Sequence, residues 1–186
     1  SKEEIIKKFG MSFEQSDKID QYIQKIDEYN THTNIVGKST LSNPWESHVL
    51  DSIQIGNFIS NKQSSILDMG TGAGIPGLIL AINNFTNVSL IDANLKKIKF
   101  IKSVCSKLNI EVTIYHQRIE SLINKKFDFL VSRALANLNK LFFYSFPGIF
   151  DLAISVLLEK LNSYFSGLID PADMINLDAS SKFISK

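Results

Sequence analysis

The segment Asp68-Met-Gly-Thr-Gly-Ala-Gly-Ile-Pro-Gly77 constrains the fold more than any other part of the chain, because a turn holding four glycines joins a short apolar run to a longer one. Gly70, Gly72, Gly74 and Gly77 open backbone dihedrals that other residues avoid and let a ligand approach the main chain with no Cβ in the way. The run before it, Ser65-Ile-Leu-Asp-Met69, reads as a buried strand, and Pro76 suits the first turn of the helix that follows. A strand passing through such a turn into a helix begins an open α/β sheet. Ligands bind such sheets beyond the carboxyl ends of the strands, near the point where strand order reverses.

The pattern after the turn agrees. Asn87-Val-Ser-Leu-Ile91, Glu111-Val-Thr-Ile-Tyr115 and Phe127-Asp-Phe-Leu-Val131 are further short apolar runs, with helices predicted at 76–83, 95–108 and 134–145. Strand alternating with helix predicts a mostly parallel sheet with helices on both faces. Before the turn the chain reads as helical. From Ser12, the residues Ile19, Tyr22, Ile23, Ile26 and Tyr29 recur at helical spacing, and Ser12 with Gln15 forms a capping box. Thr31 to Ser42 is polar and turn-rich, and Asn43-Pro44 reads as the start of a helix through Trp45, Val49, Leu50 and Ile53. The expected division is a helical extension over 1–60 and an α/β domain over 61–186.

Composition narrows the setting. The apolar share of 44% and the charged share of 21% are those of an ordinary globule. No apolar stretch approaches the roughly 20 residues needed to span a bilayer. A lone cysteine, Cys105, rules out an internal disulfide and suits a reducing compartment, so the expected location is the cytoplasm. Net charge is only +1, yet residues 66–140 carry ten basic against five acidic side chains. That surplus is compatible with a polyanionic partner such as RNA, and equally with a solvated helix face.

Asp92, at the end of the second predicted strand, is placed to accept hydrogen bonds from two ribose hydroxyls. Two cofactors then compete. Gly72-Ala-Gly74-Ile-Pro-Gly77 satisfies the dinucleotide fingerprint of an NAD-dependent oxidoreductase. Asp68 favours S-adenosylmethionine instead, since a carboxylate there can meet the ammonium of the methionine part, whereas it would repel a pyrophosphate.

The run Ser65 to Gly77, then Ile91-Asp-Ala-Asn-Leu-Lys96-Lys97-Ile-Lys99-Phe100, Gln117-Arg-Ile-Glu120 and Val131-Ser-Arg133-Ala134, resembles the RsmG (GidB) family of bacterial methyltransferases. Upstream, Tyr29-Asn30, Asn34-Ile-Val36 and His48-Val-Leu-Asp51-Ser52 resemble its N-terminal motifs. The resemblance implies a Rossmann-like methyltransferase fold and S-adenosylmethionine as cofactor. It implies methylation of N7 of a guanine in 16S rRNA, known as guanine-527, by a monomer acting on the rRNA or the small ribosomal subunit in the cytoplasm. It further implies that Gly70, Thr71, Gly72 and Gly74 contact the cofactor, that Asp92 binds its ribose, and that Ile119 and Glu120 lie by the adenine. Arg133 would face the methyl-transfer cleft, as both cofactor contact and catalytic residue. Asn34, His48, Asp51 and Ser52 would belong to the extension closing over the pocket, and Lys96, Lys97 and Lys99 would stand by the substrate. Lysine there keeps the charge of the arginine often found in the family but loses its bidentate fork.

Two departures stand out. Ser47 occupies the position of the family's usual arginine before the histidine, and after Leu141 neither the expected strand followed by Lys-Gly nor the closing strand pair is recognisable. The sheet is therefore expected to lack or replace its last part, which keeps a non-catalytic RNA-binding relative among the alternatives.

Guanine N7 carries a free lone pair, so its methylation needs no general base. Ser132-Arg133-Ala134 holds no carboxylate, and Cys105 lies on a helix away from this motif, against attack at cytosine C5. Catalysis would rest on proximity and orientation. Because the product base is positive, Arg133 is expected to touch O6 or a phosphate rather than N7. His48 and Asp51, three residues apart, make too few ligands for a metal; structural hydrogen bonding is the expected role. The aromatic cluster Phe142, Phe143, Tyr144 and Phe146 is expected in a core rather than as a base-stacking platform.

Overall fold

The computed structural model describes residues 1–122 and 125–133 and the backbone of 155–157. Helix α1 (Lys2–Phe9) opens on a capping box, Ser1 with Glu4, and adds a helix to those expected in the extension. Helix α2 (Phe13–Asn30) has the predicted box: the Ser12 hydroxyl accepts from the Gln15 amide at 3.1 Å, and Gln15 Oε1 accepts from the Ser12 amide at 2.8 Å. These reciprocal bonds satisfy two of the four amides a helix start leaves orphaned. The stretch read as turn-rich contains a short 3₁₀ helix (Lys38–Leu41). The helix predicted from Asn43-Pro44 forms as a π-helical segment (Trp45–Leu50) running on into α3 (Asp51–Gly56).

Four strands fall where the apolar runs predict, β1 (Ile66–Met69), β2 (Val88–Asp92), β3 (Thr113–His116) and β4 (Phe129–Ser132). A fifth, β5 (Ser155–Leu157), pairs parallel with β4 in the register Leu130 to Ser155 through Ser132 to Leu157. The sheet thus continues past Leu141, so of the two expected alternatives, a last part lacking or replaced, a strand is present at this position. The run Ala153-Ile-Ser-Val-Leu-Leu158 is a short apolar segment of the kind parallel strands use, although no Lys-Gly follows it. All pairings are parallel and the order is β3-β2-β1-β4-β5, so strand order reverses between β1 and β4.

Helices α4 (Gly77–Ile82) and α5 (Leu95–Leu108) follow β1 and β2. Strands β1 and β2 are buried along their whole length, as strands covered on both faces must be. Ile66, Val88, Leu90 and Val131 point into one core with Leu78 and Leu80 of α4, Ile98 and Ile101 of α5, and Ile19, Tyr22 and Ile26 of α2. Leu67, Met69, Ile91 and Leu130 point the other way and pack with Leu122 and Phe127. Each fully buried aliphatic contributes about 1.5–3 kcal/mol. One core thus runs across residue 60, binding the extension to the sheet. The helix predicted at 134–145, with the aromatic cluster in it, lies outside the described residues.

Candidate functional site

The glycine turn leaves the carboxyl end of β1 beside the reversal of strand order. Gly72 and Gly74 take φ of 62° and 101°, which an L side chain rarely adopts, and the Thr71 amide donates to Ile91 O at 3.1 Å, tying the turn to β2. Gly77 serves a different need. A Cβ there would come within 2.2 Å of Leu90 Cδ2 and 2.9 Å of Asp68 Oδ2, so its bare Cα lets α4 sit directly on the sheet.

Asp68 is fully buried under this turn and does not line the adjoining cavity. Its Oδ2 accepts from the Thr71 hydroxyl at 2.5 Å and from the Gly77 amide at 2.9 Å, while Oδ1 has no hydrogen-bond partner among the described residues. Those two donors draw the carboxyl inward, away from the direct contact with a ligand ammonium that the sequence suggested. Burial pushes its pKa up to about 7, against the pull of the Thr71 and Gly77 hydrogen bonds. Tyr22 of α2 reaches the same turn: its hydroxyl donates to Ala73 O at 2.8 Å, and burial holds the phenol well above its ordinary pKa.

A cavity of about 680 Å³ opens against the turn. Gly70, Thr71 and Gly72 form one side, Ile91, Asp92 and Lys97 another, Ile119 and Glu120 a third, and Arg133 joins them from the end of β4. Gly74 lies just behind this wall, where its Cβ position faces Leu78 and Tyr22. Asp92 is held by two backbone amides, Gly72 N to Oδ2 at 3.1 Å and Asn94 N to Oδ1 at 2.8 Å. Lys97 Nζ stands 3.6 Å from Asp92 Oδ2, so this lysine neutralises the acid at the cavity rim. Lys96 and Lys99 point outward on α5 and do not line the cavity.

The extension closes the remaining side. Ile35, Val36, Gly37 and Thr40 line the cavity, and Asn34 lies on a neighbouring one of about 380 Å³ that shares Ile35, Val36 and Gly37 with it. Asn30 holds this loop in place: its Oδ1 accepts from Ile35 N at 2.7 Å and Val36 N at 3.2 Å, and its Nδ2 donates to Val36 O at 3.0 Å. Arg133 Nη1 donates to Ser47 O at 2.9 Å, joining β4 to the π-helical segment.

His48 departs from its expected role as a structural hydrogen-bonding residue. The π-helical turn buries its ring, and neither Nδ1 nor Nε2 has a hydrogen-bond partner among the described residues. Burial first, then the positive charge of Arg133, pushes its pKa down to about 4, so the imidazole is neutral. Ser52, also buried, donates to His48 O at 2.6 Å, and Asp51 is half-buried. Cys105 is half-buried, with a thiol pushed up to about 11 by burial. Among the described residues no group of three metal-ligating side chains occurs, and no helix is long and apolar enough to cross a membrane.

Sequence reasoning missed Tyr22 and Asn30 as supports of the cavity, and Gln117 and Arg118 as parts of its wall. Tyr22 carried a signal only as an apolar helix position, and Asn30 only as part of the Tyr29-Asn30 motif, with no role attached; their partners are set by the tertiary fold.

A parallel sheet ordered β3-β2-β1-β4-β5, with a glycine turn after β1 and an acid ending β2 at one cavity, defines a Rossmann-like methyltransferase fold. The solved structure of TYW2 from P. horikoshii in complex with MeSAdo shares this fold at a TM-score of 0.50 and 15% identity, over 58% of this chain and 42% of that one. A family profile described as rRNA small subunit methyltransferase G matches residues 15–152. Ribosomal RNA small subunit methyltransferase G of Rickettsia prowazekii is 34% identical over 162 residues, which cover 87% of this chain and 83% of that protein. The protein of the same name from Orientia tsutsugamushi (strain Ikeda) is 37% identical over 131 residues, 70% of this chain and 66% of that protein. The chain belongs to the rRNA small subunit methyltransferase G (GidB) family, which sets aside the oxidoreductase alternative.

Proposed function

We propose that this chain transfers a methyl group from S-adenosylmethionine to N7 of a guanine in 16S rRNA, guanine-527 in the family's usage. One observation carries the reading: the glycine turn, Asp92, Ile119, Glu120 and Arg133 all stand on the wall of one cavity, although they come from four separate strand ends. Its volume of about 680 Å³ is within the ordinary range for a site holding a nucleoside-sized ligand.

The residues present fit the cofactor. Asp92, fixed by two amides, keeps lone pairs for a ribose, and Ile119 and Glu120 offer an apolar surface and an acceptor for an adenine. The main chain of Gly70, Thr71 and Gly72 admits close approach of the remaining part, while Asp68 acts from beneath by shaping the turn. S-adenosylmethionine supplies a methyl on a sulfonium; the S–CH₃ bond breaks as the N7–CH₃ bond forms, leaving a neutral thioether and a cationic base. Because N7 attacks with its own lone pair, no residue need remove a proton. Arg133 orients the guanine through O6 or a neighbouring phosphate, and its bond to Ser47 O fixes its approach. Asn34 and His48 belong to the acceptor side, with Lys97 at the rim and Lys96 and Lys99 on the outward side of α5. The protein acts as a cytoplasmic monomer on the rRNA or the small subunit, and the division at residue 60 separates the segment that closes the site from the one that builds it.

The test is calorimetric titration with S-adenosylmethionine followed by methylation of 16S rRNA and 30S particles from cells lacking this modification, mapped to the base. Cofactor binding and one methyl on N7 of the guanine are expected. A methyl on another atom or base, or binding without transfer, would overturn the proposal; the latter would favour a non-catalytic relative.

A further inference from the structure

We propose that the outward face of α5 is the track that holds the phosphate backbone of the RNA strand beside the acceptor base, with Lys102 and Lys107 as contacts further from the cavity than Lys96 and Lys99. The inference rests on the rRNA reading above and adds to it the surface on which the strand lies. Lys96, Lys99, Lys102 and Lys107 are all exposed, and at 100° per residue they fall on one side of the helix. Lys96 and Lys107 stand eleven positions apart, about 16 Å along the helix axis. None makes an ion pair among the described residues; the remaining lysine of the helix, Lys97, turns inward to Asp92.

The face is arranged against the helix's own stability. α5 carries five lysines and no acid, so the like charges of Lys96 and Lys99, and of Lys99 and Lys102, each three residues apart, repel with nothing on the helix to offset them. Lys96 and Lys97 also place cations in its first turn, where the helix dipole disfavours them. Local rules broken together in this way mark a surface selected for a partner rather than for the fold. The partner is polyanionic, because the neighbouring helix α2 exposes the opposite sign, Glu14, Asp17, Asp27 and Glu28, and leaves the α5 side as the one on which phosphates are welcome. Position agrees with charge: α5 starts shortly after Asp92, and Lys97 stands on the cavity rim, so a strand whose base enters the cavity passes onto this face.

The experiment measures binding of naked 16S rRNA by the full chain across a salt series, for wild type, the double variant Lys102→Gln/Lys107→Gln, and a control of equal net charge, Lys7→Gln/Lys8→Gln on exposed positions of α1. Removing one lysine–phosphate pair should make the slope of log K against log salt shallower by about 0.7–0.9, so the α5 double variant should differ by about 1.5, with a several-fold loss of affinity at low salt. The α1 control should keep the wild-type slope, and cofactor titration should give the same Kd for all three proteins. Equal slopes for the α5 variant and wild type would overturn the proposal, as would an equal loss in the α1 control, which would mean that net charge alone acts. Unchanged binding of naked rRNA with weakened binding of 30S particles would also overturn it, in favour of a ribosomal protein on this face. Cofactor binding by wild type with no rRNA binding at all would overturn the rRNA reading itself, an outcome distinct from the others.

Discussion

Replacing Tyr22 by Phe tests whether the helical extension supports the cofactor turn. The ring of Tyr22 is fully buried and stays in place in the variant, so no cavity larger than one oxygen forms. What disappears is the hydroxyl donating to Ala73 O at 2.8 Å. A buried carbonyl left without its donor costs about 1–3 kcal/mol. For a chain of this length that is a fall of about 3–8 °C in Tm. Ala73 belongs to the cavity wall, so a turn that relaxes to recover a donor also moves the surface presented to the ligand. Weakening cofactor affinity by about tenfold would correspond to about 1.4 kcal/mol of that cost appearing at the site. The assay is urea unfolding with and without saturating S-adenosylmethionine, since a ligand that binds only the folded state raises stability according to its own Kd. The variant should unfold at lower urea with an unchanged slope, and the cofactor should protect it less than wild type. A midpoint equal to wild type would refute the energetic argument; a lowered midpoint with full cofactor protection would refute the link to the turn.

Gly77→Ala should destabilise by about 1–3 kcal/mol through overpacking, because its Cβ would fall 2.2 Å from the fully buried Leu90; a denaturation midpoint equal to wild type would count against the close packing of α4 on the sheet. Asp92→Asn keeps the shape but removes the charge that holds the Gly72 and Asn94 amides, and calorimetry should find S-adenosylmethionine bound about 10–100-fold more weakly; a change below about twofold would remove Asp92 from the cofactor site. Asp68, with its pKa raised to about 7, favours the folded state fully below about pH 4, and this contribution is lost as pH rises to about 7, whereas His48, lowered to about 4, contributes in the opposite sense, with stability lost as pH falls from about 6.5 to about 4. Each slope reaches at most about 1.4 kcal/mol per pH unit, so Asp68→Asn should make stability rise more steeply with pH between 4.5 and 6 than in wild type and His48→Gln should make it fall relative to wild type, as read by urea unfolding; parallel profiles would refute both shifts.

What the sequence disclosed follows the range of the interactions. The strands β1 to β4, the turn between Asp68 and Gly77 and the Ser12–Gln15 cap depend on residues a few positions apart, and periodicity and turn chemistry record those directly. The π-helical segment at Trp45–Leu50 was legible as a helix but not as a π-helix, because hydrophobic spacing over six residues does not separate the two. β5 escaped because its short apolar run does not separate strand from helix by periodicity, and its place is set by pairing with β4. Of the site residues named from the sequence, Asp92, Ile119, Glu120 and Arg133 line one cavity, whereas Asp68 lies beneath its wall. A carboxylate before a glycine turn can face outward to a ligand or inward to the turn's own amides, and only the packing of Gly77 against it decides.

That inward carboxylate gives Arg133 its importance. Asp68 and His48 lie on opposite segments, one under the turn and one in the extension, and Asp68 Oδ1 and both ring nitrogens of His48 are buried with no hydrogen-bond partner among the described residues. Such groups are tolerated when the surrounding charge lowers the cost of holding them. Arg133 acts on both: its charge draws the Asp68 pKa down against burial and drives that of His48 further below its ordinary value. One cation therefore favours an ionised acid on the sheet and a neutral imidazole on the extension, while its bond to Ser47 O joins the two segments. Burial remains the larger cause at both groups, so removing the Arg133 charge should raise both pKa values modestly and, by breaking the bond to Ser47 O, loosen the junction between β4 and the extension.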